Sequence, residues 1–207
     1  MPAGPKQIGQ GVATRAALVD AGRRLFVTQG YFATGTEELV AAADVTRGAL
    51  YHHFADKQDL FRAVFHAIGA DVLAGRLGPL REPVDPTLVA WDQLRQGLRR
   101  FLQTVAVETE VQRVILIEGP AVLGWHEWSE LEKRYSLGRI ERTIEDSIRE
   151  GLIEPQPASA LGQLLLGLVN SGALVVANAA DRAQAEAEVV EAVDALLRGL
   201  RRPGRAR

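Results

Sequence analysis

The sequence predicts an all-α chain, and three observations carry that prediction. Apolar residues recur at helical spacing from Thr14 onward. No run shows the sustained two-residue alternation of β-branched and aromatic residues that a half-buried strand needs. Capping and stop residues, among them Gly30, Asp56 and Gly151, punctuate the apolar stripes at helix-length intervals. With 207 residues, 47% of them hydrophobic, the chain has material for a small domain and a medium one, each with a buried core.

The elements follow in order. A first helix over 14–29 carries an apolar stripe of Ala17, Leu18, Ala21, Leu25 and Phe26, with Gly30 placed to end it. Thr34 and Glu37 form a capping-box pattern for a short helix over 35–43, whose Leu39 and Val40 face inward. Asp44 and Val45 leave room only for a sharp turn before a third helix over 46–54. Asp56 caps a fourth helix over 57–77, which would be about 30 Å long at ~1.5 Å per residue and could join two domains. Gly78, Pro79, Pro83 and Pro86 break the pattern. Longer helices are expected over 86–108, 110–123, 126–149, 157–179 and 181–201, with an irregular tail over 202–207. The expected domains are 1–55 and 56–207.

Composition excludes several function classes. There is no cysteine, so disulfides, thiolate metal sites and thiol catalysis are ruled out. Residues 1–13 hold no apolar run of signal-peptide length, and the most apolar stretch, 161–180, is interrupted by Gly162, Gln163, Gly167, Asn170 and Gly172. A cytoplasmic chain with no membrane partner is the expectation. Residues 1–57 carry one more cation than anions, while the remainder carries three more anions than cations, a distribution that permits a DNA-binding front. No glycine-rich phosphate loop and no serine elbow is present, so catalysis has no visible apparatus. The HEWSE stretch from His126 to Glu130 lacks the second histidine a zinc helix needs. Adjacent His52 and His53 point roughly 100° apart on a helix and cannot share one ion. No metal or cofactor is expected.

A helix, a short capped helix, a tight turn and a helix bearing Thr46, Arg47, Gly48, Ala49, Tyr51, His52 and His53 have the arrangement of a DNA-reading helix-turn-helix. Thr46 can cap the third helix. Gly48 and Ala49 lack bulk and let the backbone approach base edges, and Arg47 can pair with guanine or phosphate. Tyr51 and Lys57 are long enough to reach phosphates. Leu50 and Phe54 supply the inward stripe, which leaves Tyr51 for the outer face.

The segment GYFATGTEELVAAADVTRGALYHHFADKQDL, Gly30 to Leu60, closely resembles the signature region of the TetR family of regulators, over about residues 12–65. The resemblance implies a homodimer with one reading head per subunit, double-stranded operator DNA as partner, and a variable ligand-binding and dimerisation domain behind the head. Carried over by position, the DNA-contacting residues are Thr36, Thr46, Arg47, Ala49, Tyr51, His52, His53 and Lys57. Asp44 departs from the family's usual glycine in the turn, which aspartate can replace because it tolerates left-handed backbone angles. Glu37 stands where a neutral or basic residue is usual; the cap with Thr34 is its expected role, the alternatives being that it accepts from a cytosine amino group or excludes wrong sequences by repelling phosphate.

In the second domain, Trp91, Phe101, Trp125, Trp128 and Tyr135 read first as core or domain-interface residues, but they also suit an apolar pocket, with Arg113, Glu118, His126 and Asn170 orienting a small apolar or aromatic effector. The last two helices, about 157–201, are rich in glycine and alanine, and their apolar positions exceed one face. By the resemblance, they would meet their symmetry mates in a four-helix bundle with a two-fold interface; a buried hairpin within one chain is the alternative. The sequence thus reads as a transcriptional regulator, expected to be a repressor released by a small molecule. A helical carrier or enzyme with a vestigial DNA-binding head is the alternative.

Overall fold

The computed structural model describes residues 5–202, so all but the first residue of the tail expected over 202–207 lies outside the described residues. The chain is all-α. Its elements are α1 (Pro5–Thr28), α2 (Thr36–Ala42), α3 (Arg47–His53), α4 (Lys57–Leu73), a 3-10 turn (Gly78–Arg81) and α5 (Ala90–Val107). A π-wound segment (Val111–Glu118) leads into α6 (Gly119–Leu123). Then come α7 (Trp125–Glu132), a π turn (Lys133–Leu137), α8 (Gly138–Arg149), α9 (Ala158–Asn178) and α10 (Arg182–Leu200). Among the described residues, extended backbone pairs only in one isolated antiparallel bridge, Ile153 with Arg201.

Two compact units divide the chain. The first takes the residues up to Gly69 together with Arg113–Trp128; the second takes Ala70–Gln112 and the chain from Ser129 onward. The boundary falls inside α4, so a single helix belongs to both units.

In the first unit the apolar stripes meet as their spacing requires. Leu18, Ala21 and Phe26 of α1, Leu39 of α2, Leu50 of α3 and Leu60, Phe61, Val64 and Phe65 of α4 have no exposed surface. The Phe26 and Phe61 rings pack tilted at 5.4 Å between centroids, and Tyr31 packs edge-on to Phe61 at 5.3 Å, which fixes the angle at which the chain leaves α1. Gly119 has no side chain because a Cβ there would come within 2.7 Å of the Trp128 ring.

The turn between α2 and α3 is a Schellman motif. Val45 N–H donates to the Val40 carbonyl at 3.0 Å, Asp44 N–H donates to Ala41 at 3.2 Å, and Asp44 takes φ 53. The aspartate thus adopts the left-handed backbone expected of it. Thr46 caps α3, its hydroxyl oxygen accepting from Ala49 N–H at 3.2 Å.

The second unit is a helical stack with Trp91, Leu98, Leu102 and Val105 of α5, Ile140 and Ile144 of α8, Leu165, Val169 and Val176 of α9, and Val193 and Leu197 of α10 inside. α9 is long and apolar enough to cross a membrane, but much of its apolar surface is packed against α5, α8 and α10. At Gly172 the α9 backbone lies so close to α10 that a Cβ would meet Val189 at 2.7 Å. Arg95 of α5 reaches Asp194 of α10 at 3.2 Å, and Arg202 pairs with Glu154 at 2.5 Å beside the isolated bridge.

Several boundaries differ from expectation, each for a local reason. α4 stops at Leu73 rather than 77 because Gly75 turns left-handed at φ 64, with Arg76 N–H bonded to Asp71 and Gly75 N–H to Val72. α5 begins at Ala90, not 86, because Asp85 accepts from the Thr87 N–H and hydroxyl and holds a turn there. The helix expected over 126–149 contains a π turn, and that expected over 110–123 is π-wound ahead of Pro120, whose ring would press on the Leu116 carbonyl in a regular helix.

If the left-handed turn sets the α2–α3 angle, Asp44→Val, which puts a β-branched residue at positive φ, lowers stability by about 1–2 kcal/mol in thermal unfolding followed by circular dichroism. Asp44→Gly keeps the wild-type midpoint to within a degree or two.

Candidate nucleic-acid interface and cavity

The third helix presents a polar face. Thr46, Arg47, Gly48, Tyr51 and His52 are exposed, Tyr51 at 46%, while Ala49 and His53 are half-buried and Leu50 is sealed inside. A Cβ at Gly48 would meet nothing closer than the Thr46 hydroxyl at 3.8 Å, so this glycine leaves the outer surface of α3 low rather than making room for a neighbour. The Arg47 guanidinium lies over the Tyr51 ring at 5.7 Å. The His52 and His53 rings meet edge to face at 5.0 Å. Thr36 is the first residue of α2 and half-buried.

The capping of α2 corrects the sequence reading by one residue. Thr34 is buried, and its hydroxyl donates to the Gly30 carbonyl at 2.6 Å and accepts from the Gln29 amide at 3.3 Å rather than from an α2 N–H. The N-cap is Gly35, whose N–H donates to the Glu38 carboxylate at 2.9 Å. That bond and the Gln29 amide hold the Glu38 carboxyl below its usual range. Glu37 is released from the cap and pairs instead with Arg47 at 3.0 Å, both side chains lying largely in water.

Lys57 also sits elsewhere than expected. Its ammonium donates to the carbonyls of Tyr31 and Thr34, each at 2.9 Å, and lies over the Tyr31 ring at 4.1 Å. It staples the α1–α2 loop from beneath rather than presenting its charge outward. The same loop is held by the 113–118 segment. Glu118 accepts from Tyr31 N–H at 2.9 Å, and Arg113 donates to the α1 carbonyls of Val27 at 3.1 Å and Thr28 at 2.9 Å. Gly30, at φ 93, must be glycine twice over, since a Cβ would also collide with the Glu118 carboxylate.

The second unit encloses a cavity of about 510 Å³. Its wall includes Val72 and Leu73 of α4, Leu80 to Val84, Leu94, Leu98, Arg100 and Phe101 of α5, Tyr135, Arg139 and Ile140, and Leu166 and Val169 of α9. Of the nine residues expected to bind a ligand, Phe101 and Tyr135 line this cavity. The others are placed differently. Trp91 is fully buried in the core of the second unit. Arg113 and Glu118 hold the α1–α2 loop, Trp128 is buried with its indole N–H donating to Ile115 at 2.7 Å, Trp125 is 71% exposed and stacks on Trp128, and His126 is exposed, all in the first unit. Asn170 is buried against Glu132. Arg100 and Arg139, which also line the cavity, fall in no pattern that the sequence analysis singled out. The available signal was the run of glycines and prolines from Gly75 to Pro83, which curls over the cavity instead of extending α4.

Glu132 is the buried carboxylate of the second unit. Both its oxygens accept from the Asn170 amide nitrogen at 2.8 Å, and burial raises its pKa to about 7, an effect the Asn170 hydrogen bond only partly offsets.

Residues 18–64 match the family described as bacterial regulatory proteins, tetR family, and residues 91–200 match the tetracyclin repressor-like C-terminal domain. The fold is similar to that of a TetR-family transcriptional regulator from Pectobacterium atrosepticum, with 33% identity and a TM-score of 0.76 over 95% of this chain and 98% of that one. The chain is 26% identical to the TetC protein of transposon Tn10 from Escherichia coli, covering 75% of this chain and 76% of TetC. It is 37% identical over 106 residues to the transcriptional regulator AcrR of Shigella flexneri, covering 51% of this chain and 46% of AcrR, about half of that relative.

Two measurements check the roles assigned to the polar side chains. Lys57→Met leaves two loop carbonyls without their charged donor and lowers unfolding stability by about 2 kcal/mol. Glu132 keeps its proton in the folded state until about pH 7 but loses it near 4.5 when unfolded, so the unfolded chain binds fewer protons between those values and stability falls as pH rises through that window. Glu132→Gln abolishes this fall, so that denaturant midpoints at pH 5 and pH 8 converge. The wild-type difference is on the order of 3 kcal/mol.

Proposed function

The chain belongs to the TetR family of DNA-binding transcriptional regulators, and on that premise we propose that it acts as a homodimeric repressor that a small molecule releases from a palindromic operator. The observation that carries this reading is the exposed face of α3, where Thr46, Arg47, Gly48, Tyr51 and His52 stand clear of the core behind a tightly set turn. With Thr36, Ala49 and His53 they form the set of side chains and backbone that would enter the major groove and grip its edges. Lys57 is left out because its ammonium is engaged within the fold.

Arg47 is paired with Glu37, but the pair is exposed on both sides, and such pairs contribute only about 0–1 kcal/mol. Exchanging Glu37 for guanine or phosphate is therefore cheap. Glu37 then stands as a negative charge near the backbone of the DNA and weakens non-specific binding.

Dimerisation is assigned to α9 and α10. Leu164, 72% exposed, and Val175 lie on one face of α9 with Gly167 and Ser171, and Leu196 is exposed on α10 beside Ala192 and Ala195. Two copies of this face would form an isologous four-helix interface. The two reading helices of a dimer would then engage successive major grooves about 34–36 Å apart.

The effector enters the cavity of the second unit, and α4 carries the signal, because Val72 and Leu73 at its end line that cavity while its first turns belong to the unit that holds α3. An effector that prefers the DNA-free arrangement by ~3 kcal/mol lowers operator affinity about a hundredfold. No covalent step is required, and the chain works in the cytoplasm, where its DNA is.

Fluorescence anisotropy against labelled palindromic DNA flanking its own gene checks the reading. Binding weakens steeply with salt. Arg47→Ala costs at least about tenfold in affinity, while Glu37→Gln tightens binding to unrelated DNA. Salt-independent or absent binding that Arg47→Ala leaves unchanged overturns the repressor assignment. Leu164→Arg shifts the protein toward monomer in sedimentation velocity and loses operator affinity with it.

A further inference from the structure

Resting on the reading that the second-unit cavity takes the effector, we propose that this effector is an organic anion with an apolar body, its acid group held by Arg100 and Arg139. The apolar part of the wall is supplied by Leu94, Leu98, Phe101, Ile140, Leu166 and Val169. The charged part is one-sided. Arg81, Arg100 and Arg139 line the same cavity, opposed among the lining residues by Glu82 alone.

Arg100 is the most telling of these groups. Its side chain is only 13% exposed, yet the carboxylate facing it, Glu82, is 79% exposed and 3.6 Å away. Its Nη1 donates to the Glu82 carbonyl at 2.5 Å. A guanidinium withdrawn from water to this degree needs a close anion, and a largely solvated carboxylate at that distance compensates it poorly. An acid group entering the cavity would take that place with short, charge-assisted bonds.

Arg139 links the same event to α4. Its Nη2 donates to the carbonyl of Leu73, the last residue of α4, at 2.9 Å. A guanidinium has five N–H donors in a planar fork that suits carboxylate, sulfonate or phosphate. An anion on Arg139 therefore competes with, or re-aims, the bond that fastens the end of α4. A cationic ligand would meet three guanidinium groups and gain nothing there, and a neutral one would leave Arg100 with only the distant, solvated Glu82 carboxylate.

Isothermal titration calorimetry of the purified full chain without DNA tests the assignment with four probes: decanoate, decanol, decyltrimethylammonium and inorganic phosphate. Decanoate should bind at least about tenfold more tightly than each of the others. Arg100→Gln and Arg139→Gln should each weaken decanoate about tenfold or more while leaving decanol unchanged. Decanol or the ammonium binding as well as decanoate, phosphate alone binding as well, or no binding of decanoate at all overturns the proposal. The comparison of probes on the wild-type chain decides the matter even if a variant fails to fold. Operator release is read separately by anisotropy. Decanoate that binds without releasing DNA leaves the anion assignment standing and removes the effector role, whereas release by a neutral ligand does the reverse.

Discussion

The placement of the reading helix depends on how the loop over residues 30–34 satisfies its backbone without regular structure. The chain leaves α1 through a left-handed glycine and turns back within a few residues, so its polar groups have no helical partners. They are met from three directions. The Lys57 ammonium holds the carbonyls of Tyr31 and Thr34, the Thr34 hydroxyl turns inward to Gly30, and the Glu118 carboxylate takes the Tyr31 N–H. Arg113 closes the end of α1 by binding its last free carbonyls. Phe26, Tyr31 and Phe61 pack against one another beneath, so this loop is braced on both sides where α2 starts.

From that point the geometry propagates by short-range chemistry. Glu38 closes the first turn of α2, the Asp44 turn ends it, and Thr46 starts α3, leaving Leu50 and Phe54 inside and the polar side chains outside. Each step spans only a few residues, so little error accumulates between the anchored loop and the exposed face. The face itself is not strongly basic. Arg47 is half-neutralised by Glu37, which suits a surface that must distinguish one DNA sequence from bulk phosphate rather than hold any duplex.

The second unit solves a different problem. Its core is a stack of helices with apolar stripes wide enough to bury, but it also withdraws two charged groups from water, Arg100 at the cavity and Glu132 in the packed interior. Glu132 has only an amide for company, and burial answers by raising its pKa toward neutrality. Arg100 is met by the Glu82 carbonyl at 2.5 Å and, more loosely, by the solvated Glu82 carboxylate at 3.6 Å. The unit thus holds a buried acid whose pKa burial raises and a withdrawn cation at the wall of its cavity.

By itself the sequence determined whatever depends on neighbours within about one helical turn: the all-α class, the order of the helices, the inward Leu50 and Phe54, the cap at Thr46, the left-handed Asp44 and the outer face of α3. The tertiary structure decided the rest. Glu37 and Glu38 are adjacent carboxylates, and which one caps α2 turns on the helix taking Gly35 rather than Thr34 as its N-cap, which puts Glu38 at the third position. Lys57 reads as a phosphate contact until Tyr31 and Thr34 are folded over it. Arg113 and Glu118 read as ligand groups until their segment is seen to belong with α1, more than eighty positions earlier in the chain. Phe101 and Tyr135 meet in one cavity wall while Trp91, Trp125 and Trp128 do not, because cavity walls are assembled from helices whose packing angles depend on every side chain at the contact. Local periodicity and capping are written in consecutive residues; the partner of a long charged side chain is set by the fold as a whole.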